Sequence, residues 1–266
     1  FYFALSAMLL RWTAQLSLAE VFSWAFVWAY LLASALVYGI VTAVAMWRGL
    51  SVAEAAVEAQ CGVIGNVGFL GVPMLALLLG QAAIGPVVLV LSIDLIVFGS
   101  LIVILITGSR GQGGALRSAI GGLIRNPMIV SICLGLAWSA TGWAVPGPVD
   151  EFLAILGAAA TPGALFAIGA SLAFKSAERL SVAGWISFAK LVLHPAAVAV
   201  AALVIFPVDR FAAGVMISAA ALPVAGNVYI LAQHYGVAPQ RVSASILLST
   251  IASVVTVSLV IALVAV

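Results

Sequence analysis

Apolar residues run almost without interruption along the 266-residue chain and are punctuated by short clusters of Gly, Pro and charge. The runs are about 20 residues long, the length of helix that crosses roughly 30 Å of hydrocarbon. They lack the alternation that an outer-membrane strand of about ten residues carries. Read between the clusters, they predict nine helices, near 1–18, 23–47, 52–79, 84–107, 122–142, 149–174, 183–206, 211–234 and 241–265. The expected fold class is an all-α polytopic membrane protein. Because the chain opens inside an apolar run, upstream sequence with one further helix is also expected.

Composition narrows the function classes. With 65% hydrophobic and 7% charged residues there is too little polar surface to cover a soluble globule. A net charge of +2 without a basic block gives no footprint for nucleic acid. Cys61 and Cys133 sit inside apolar runs, without metal-ligand spacing or a disulfide framework, and read as small packing residues. No HExxH, GxSxG or ATP-binding loop occurs in the sequence, so no catalytic or metal residues are assigned, no cofactor is expected, and the chain does not read as an enzyme.

Basic residues set the orientation. Alternate loops hold Arg48, Arg110, Arg117, Arg125, Lys175, Arg179 and Arg241 on one side; the other side holds only Arg11 and Arg210, beside Glu20, Asp150, Glu151 and Asp209. The visible N-terminus is therefore expected in the cytoplasm and the C-terminus outside. The location expected is the plasma membrane, or the cell inner membrane in a bacterium. The Gly-rich, basic stretch "GSRGQGGALRSAIGGLIRN" (108–126) divides four predicted helices from five. One missing N-terminal helix makes five plus five, and an odd number per half inverts the second half, as in many secondary transporters. The expected organisation is an N-terminal inverted repeat at 1–107, truncated at its start, a cytoplasmic linker at 108–125 and a C-terminal inverted repeat at 126–266.

The corresponding helices of the two halves share an anomaly. "CGVIGNVGFLGVPM" (61–74) and "PVAGNVYIL" (223–231) both place Gly-Asn-Val near mid-membrane, with Pro73 and Pro223 nearby. Glycine costs about 1 kcal/mol and proline about 3 kcal/mol relative to alanine in a helix interior, so both helices are expected to break. Opened backbone in a membrane must be buried in protein or line a cavity. Pro73 and Pro223 are each expected to begin a second half-helix, whose positive end attracts anions. Gly65, Asn66, Pro73, Pro223, Gly226 and Asn227 are thus the candidate substrate-binding residues, the asparagines supplying amide donors for a carboxylate. The alternative is that the small residues only allow close helix packing while the asparagines bond across an interface.

At these residues the chain resembles the auxin efflux carrier family, which includes bacterial malonate-type carriers and is related in fold to bile acid and sodium symporters. The resemblance lies in "GNVGFLGVPM" (65–74), "NPMIVSICLGL" (126–136), "ATPGALFAIGASL" (160–172), "KLVLHPAA" (190–197) and "ALPVAGNVYILAQHYG" (221–236). It implies ten helices in two inverted five-helix repeats, with the fourth and ninth broken and crossing beside the substrate. Ser6 stands where many members carry proline, and the short linker resembles prokaryotic members more than plant ones.

Three ionisable residues lie within predicted helices and are candidates for coupling or support. Asp94 must face protein or water and can carry a proton, coordinate a cation or pair with a base. Lys190 and His194 share a helix face; Lys190 is close enough to the helix end to snorkel, and a neutral His194 can bond a carbonyl freed by Pro195. Glu54 and Glu58 read as residues of a helix N-terminus. The function expected is a secondary transporter of a small organic anion, a carboxylate such as malonate or an auxin-like acid. It would work by elevator-like alternating access, with coupling to sodium ions or protons open. The surrounding partner is membrane lipid, and an apolar face leaves a homodimer open. The other reading is an ion channel or ligand-sensing membrane receptor on the same scaffold.

Overall fold

The computed structural model describes residues 2–16, 22–110, 114–160, 162–163, 166 and 180–264. Helices occupy most of it: α1 Tyr2–Ala14, α2 Trp24–Trp47, α3 Val52–Val63, α4 Val67–Leu79, α5 Gln81–Ser109 and α6 Ala115–Arg125. They are followed by α7 Pro127–Ser139, α8 Gly147–Ala158, α9 Leu180–Ile205, α10 Arg210–Ala220, α11 Gly226–Tyr235 and α12 Pro239–Val264. Among the described residues the extended pairing is limited to one isolated bridge. Glu20, Lys175, Arg179 and most of "ATPGALFAIGASL" lie outside the described residues.

Among the described residues four helices are long and apolar enough to cross a membrane: α2, α5, α9 and α12. The predicted spans 52–79 and 211–234 are each divided, into α3 with α4 and α10 with α11, so neither half reaches that length. The linker departs from the expectation of a loop. Its second half is α6, which meets α7 at a 65° bend. The bend sits at Asn126, whose side chain accepts the Met128 N–H at 3.0 Å while Pro127 occupies the first turn of α7. Glycines hid an amphipathic repeat: Leu116, Ile120 and Ile124 lie exposed along one face, and Ala119 is buried on the other.

Two packed groups are evident. α1 lies against α7 and α8, while α2, α3, α5, α9, α10 and α12 pack among themselves. In the first group small residues allow close approach, because a Cβ on Gly135 would strike Thr13 and one on Gly157 would meet the Met8 backbone at 3.1 Å. The second group holds the polar interior. α5 has a wide i→i+5 turn at Asp94–Phe98, and α9 has one at Ala189–Leu193. Both intramembrane charges of opposite sign therefore sit on irregular turns, which recur at functional sites.

Ion pairs among the described residues gather at two places. Arg11 grips Asp150 through Nε and Nη2 at 2.8 and 3.0 Å, with Gln15 donating to the same carboxylate at 2.8 Å. At the other end Glu58 accepts from Arg48 at 2.8 Å and from Arg241 at 3.2 Å, and Arg241 also reaches Glu54 at 3.1 Å. Glu54 completes a capping box with Ser51, as a helix-start residue should. Glu58 does more than end a helix. One turn further in, its carboxylate is buried and ties α2, α3 and α12 together.

Candidate functional site

The interruptions meet. Gly65 and Val224 form an antiparallel bridge, with the Asn66 N–H donating to the Pro223 carbonyl at 2.8 Å and the Ala225 N–H donating to the Ile64 carbonyl at 3.1 Å. The Val224 N–H donates to Ser249 Oγ on α12 at 3.1 Å. Unwound backbone in an apolar interior must find partners, and each break supplies them to the other. The N-termini of α4 and α11, which carry the positive ends of their dipoles, flank this crossing.

Glycine has a second role here. A Cβ on Gly65 would lie 3.2 Å from the Ala219 carbonyl oxygen, 3.3 Å from Leu222 Cβ and 3.3 Å from Lys190 Cε, and one on Gly62 would lie 2.9 Å from Val41. The stripe of small residues therefore serves close packing as well as breakage. Gly226 opens α11, and nothing lies within 4 Å of where its Cβ would stand.

Pro223 begins no half-helix, whereas Pro73 stands in the first turn of the regular α-helical part of α4, Val72–Leu79. Pro223 lies in the unwound stretch, where its carbonyl accepts the Asn66 bond and its missing N–H leaves nothing to satisfy. Pro73 is seven residues past Asn66, beyond the wide turn Val67–Gly71 that resets the hydrogen-bond register before it. It lines a different cavity of about 410 Å³, with Met8, Arg11, Trp12, Gln81 and Leu153. α4 starts at Val67 with that wide turn, where Gly65 and Asn66 have already opened the chain, and Pro73 opens the regular helix that follows.

Asn66 is 5% exposed and Asn227 half-buried, and the side-chain oxygen of each lacks a donor. Together with Asp94 they line a void of about 20 Å³ between the breaks. Asn227 and Asp94 also line a cavity of about 410 Å³, with Gln60 deep in it and Asn126, Gly122, His234 and Tyr235 toward its mouth. Ala119, Gly122 and Leu123 place the inner face of α6 against this cavity. It opens at the end of the molecule where Arg110 donates to the Tyr235 carbonyl.

The candidate support residues form a chain behind the crossing. Tyr30 donates to Asp94 Oδ1 at 2.8 Å, leaving Oδ2 toward the cavity without a donor. The Lys190 ammonium donates to the Ala220 carbonyl at the last turn of α10 and contacts His194 Nδ1 at 3.2 Å, while His194 Nε2 meets Ser34 at 2.9 Å. Lys190 does not snorkel; at 0% exposure it is enclosed, its stem lying against Gly65. A cation at the C-terminal end of a half-helix complements that dipole. His194 meets Ser34 and Lys190, and the carbonyl it reaches is that of Ala220 at the open end of α10, not one freed by Pro195. Lys190 and His194 do not reach the cavity lining.

Sequence reasoning missed Gln60, Tyr30, Ser34, Asn126 and Ser249. Gln60 was the findable one, as a lone amide in an apolar stretch just ahead of the break; the hydroxyls carry no such signal.

Residues 1–261 match the profile of a family described as membrane transport protein. The chain belongs to this family, that of the auxin efflux carriers. The "Putative malonate transporter" of Rhizobium meliloti (strain 1021) is 30% identical over 263 residues, which cover 97% of this chain and 82% of that relative. The family makes the chain a multi-pass membrane transporter rather than an enzyme.

Proposed function

We propose that this family member is a secondary carrier of a small organic anion, with a carboxylate of the malonate class held where the two interrupted helices cross. The observation carrying this reading is the mutual backbone pairing of the breaks, which sets the N-termini of α4 and α11 and the amides of Asn66 and Asn227 around one polar spot. Helix N-termini and side-chain amides suit a carboxylate without a fixed buried cation. A relative named for malonate points the same way.

Access alternates in this proposal by an elevator-like movement. The group containing α3, α4, α10 and α11 slides against the α1, α7 and α8 scaffold, carrying the crossing with it. The separation of these two packed groups supports the division. The cavity lined by Asn227 and Gln60 is the cytoplasmic vestibule, since it opens at the end bearing Arg48, Arg110 and Arg241. Two inverted repeats, at 1–107 and 126–266, account for the matching breaks in oppositely directed helices.

The test is counterflow in proteoliposomes, after a thermal-shift screen of carboxylates has chosen the ligand. Preloaded malonate should drive uptake of labelled malonate in excess of equilibration, and Asn66→Ala and Asn227→Ala should each depress it while leaving assembly intact. Unchanged uptake in both variants refutes the site; single-channel current steps would replace the carrier by a channel.

A further inference from the structure

The surface of α6 is divided three ways. Counted at about 3.6 residues per turn, Ala119, Gly122 and Leu123 fall on one side, Leu116, Ile120 and Ile124 on the next, and Arg117, Ser118 and Arg125 on the third. The first side is turned to the protein, where it walls the vestibule. The second is bare: Leu116 is 65% exposed, Ile120 47% and Ile124 69%. The third is exposed as well, and neither arginine joins an ion pair among the described residues.

Three sides of this kind need three surroundings. α6 follows the span α5 and is turned 65° from α7, so it does not continue the line of α7 through the membrane. An aliphatic stripe beside unpaired arginines is the pattern of a helix lying in the headgroup layer, apolar side in the acyl boundary and basic side toward phosphate. The carried solute is a poor partner for these arginines, because neither lines the vestibule. A second copy is a poor partner for the stripe: three aliphatic side chains fall far short of the roughly 800 Å² per partner that a stable interface buries, and the copy would bring the same arginines with it. Anionic lipid answers both, since a basic residue near such a surface is worth about fivefold in local affinity.

We propose that α6 is a docking surface for anionic phospholipid of the cytoplasmic leaflet. Leu116, Ile120 and Ile124 enter the acyl boundary, and Arg117 and Arg125 pair with headgroup phosphates. The leaflet thereby positions one wall of the vestibule, because Gly122 and Leu123 ride on the same helix. The lipid contact requires only that the chain is embedded in a membrane; its effect on solute entry rests on the carrier reading.

With Cys61 and Cys133 replaced by alanine, bimane is attached to Ile120→Cys and the full chain is placed in vesicles of equal parts phosphatidylcholine and phosphatidylglycerol. Brominated acyl chains are carried by one lipid and then by the other, so that composition stays constant and only the place of the quencher changes. Bromine on phosphatidylglycerol should quench about twofold or more strongly than bromine on phosphatidylcholine. Arg117→Gln with Arg125→Gln should make the two equal without abolishing quenching, and bimane on Ser118→Cys should escape both. No quenching at Ile120 overturns the proposal, as do equal quenching by the two lipids in the chain that keeps both arginines and quenching of Ser118 as strong as that of Ile120. Disulfide cross-linking of two chains through Ile120→Cys, without quenching, would give the face to a second copy. Malonate counterflow is compared in the mixed vesicles and in phosphatidylcholine alone. A rate that responds to phosphatidylglycerol, and loses that response in the double arginine variant, is expected. An indifferent rate removes the effect on solute entry; no counterflow in either lipid retires the carrier reading, while the quenching result decides the lipid contact by itself.

Discussion

The Asn66 N–H donates to the Pro223 carbonyl at 2.8 Å, joining residues 157 positions apart at the centre of an otherwise helical protein. Each helix is unwound at a point where its own hydrogen-bond ladder fails, and the other helix answers the freed groups. Breaks that satisfy one another leave their flanking helix N-termini and amides available for a solute.

The amides should therefore separate function from stability. Asn66→Ala and Asn227→Ala each remove a contact worth about 1–3 kcal/mol to a bound carboxylate, which corresponds to roughly 5–150-fold in apparent affinity. Malonate titration against thermal unfolding should register this loss, while the unfolding temperature without ligand stays close to that of the unaltered protein.

Gly65 should respond in the opposite way. In Gly65→Ala the new methyl meets the Ala219 carbonyl oxygen, Leu222 and the Lys190 stem at 3.2 to 3.3 Å, and overpacking of this kind costs about 1–3 kcal/mol. The unfolding temperature falls even without ligand. Gly226→Ala, with open space at the same atom, should leave it nearly unchanged.

Tyr30 and Asp94 should be energetically coupled. Tyr30→Phe removes the donor and Asp94→Ala the acceptor of the buried 2.8 Å bond, so the double variant should lose less than the sum of the single losses. A double-mutant cycle on unfolding free energy is expected to give a coupling of about 0.5–3 kcal/mol; additivity would mean that the bond contributes nothing.

Glu58 tests the clasp at the basic end. Glu58→Gln strips the negative charge shared by Arg48 and Arg241, leaving two guanidinium groups close together and only partly exposed. Breaking a buried pair costs about 3–5 kcal/mol, and the partial exposure of both arginines puts the expected loss near the lower figure. Thermal unfolding in nanodiscs measures it. A salt concentration of about 1 M should reproduce little of the loss, since the carboxylate is buried.

The breaks could be read from the chain because Gly, Asn and Pro are poor choices for a helix in lipid and recur at matching depth, although the same small residues also allowed a reading as close packing, which Gly62 and Gly65 do serve. Their exact positions could not. Pro73 does stand in the first turn of the regular helix Val72–Leu79, yet Gly65 and Asn66 open the backbone earlier and the wide turn at Val67–Gly71 comes between. The fate of Lys190 was hidden for another reason: seven residues from a helix end permits snorkelling, and only the meeting of α9 with α10 offers it the Ala220 carbonyl instead. α6 escaped notice because its glycines resemble a linker, although its apolar side chains recur at helical spacing. Gln60 and Tyr30 needed the tertiary contacts themselves.

Leu231 lines the cavity next to Asn227 and provides the most direct check that a solute reaches the crossing. With Cys61 and Cys133 replaced by alanine, the rate at which a maleimide labels Leu231→Cys is measured in proteoliposomes with and without malonate. Saturating malonate is expected to slow labelling several-fold, while a cysteine at lipid-facing Val254 reacts at an unaltered rate. Labelling of Leu231→Cys that is indifferent to malonate and to every other carboxylate that stabilises the protein contradicts a substrate site at the crossing.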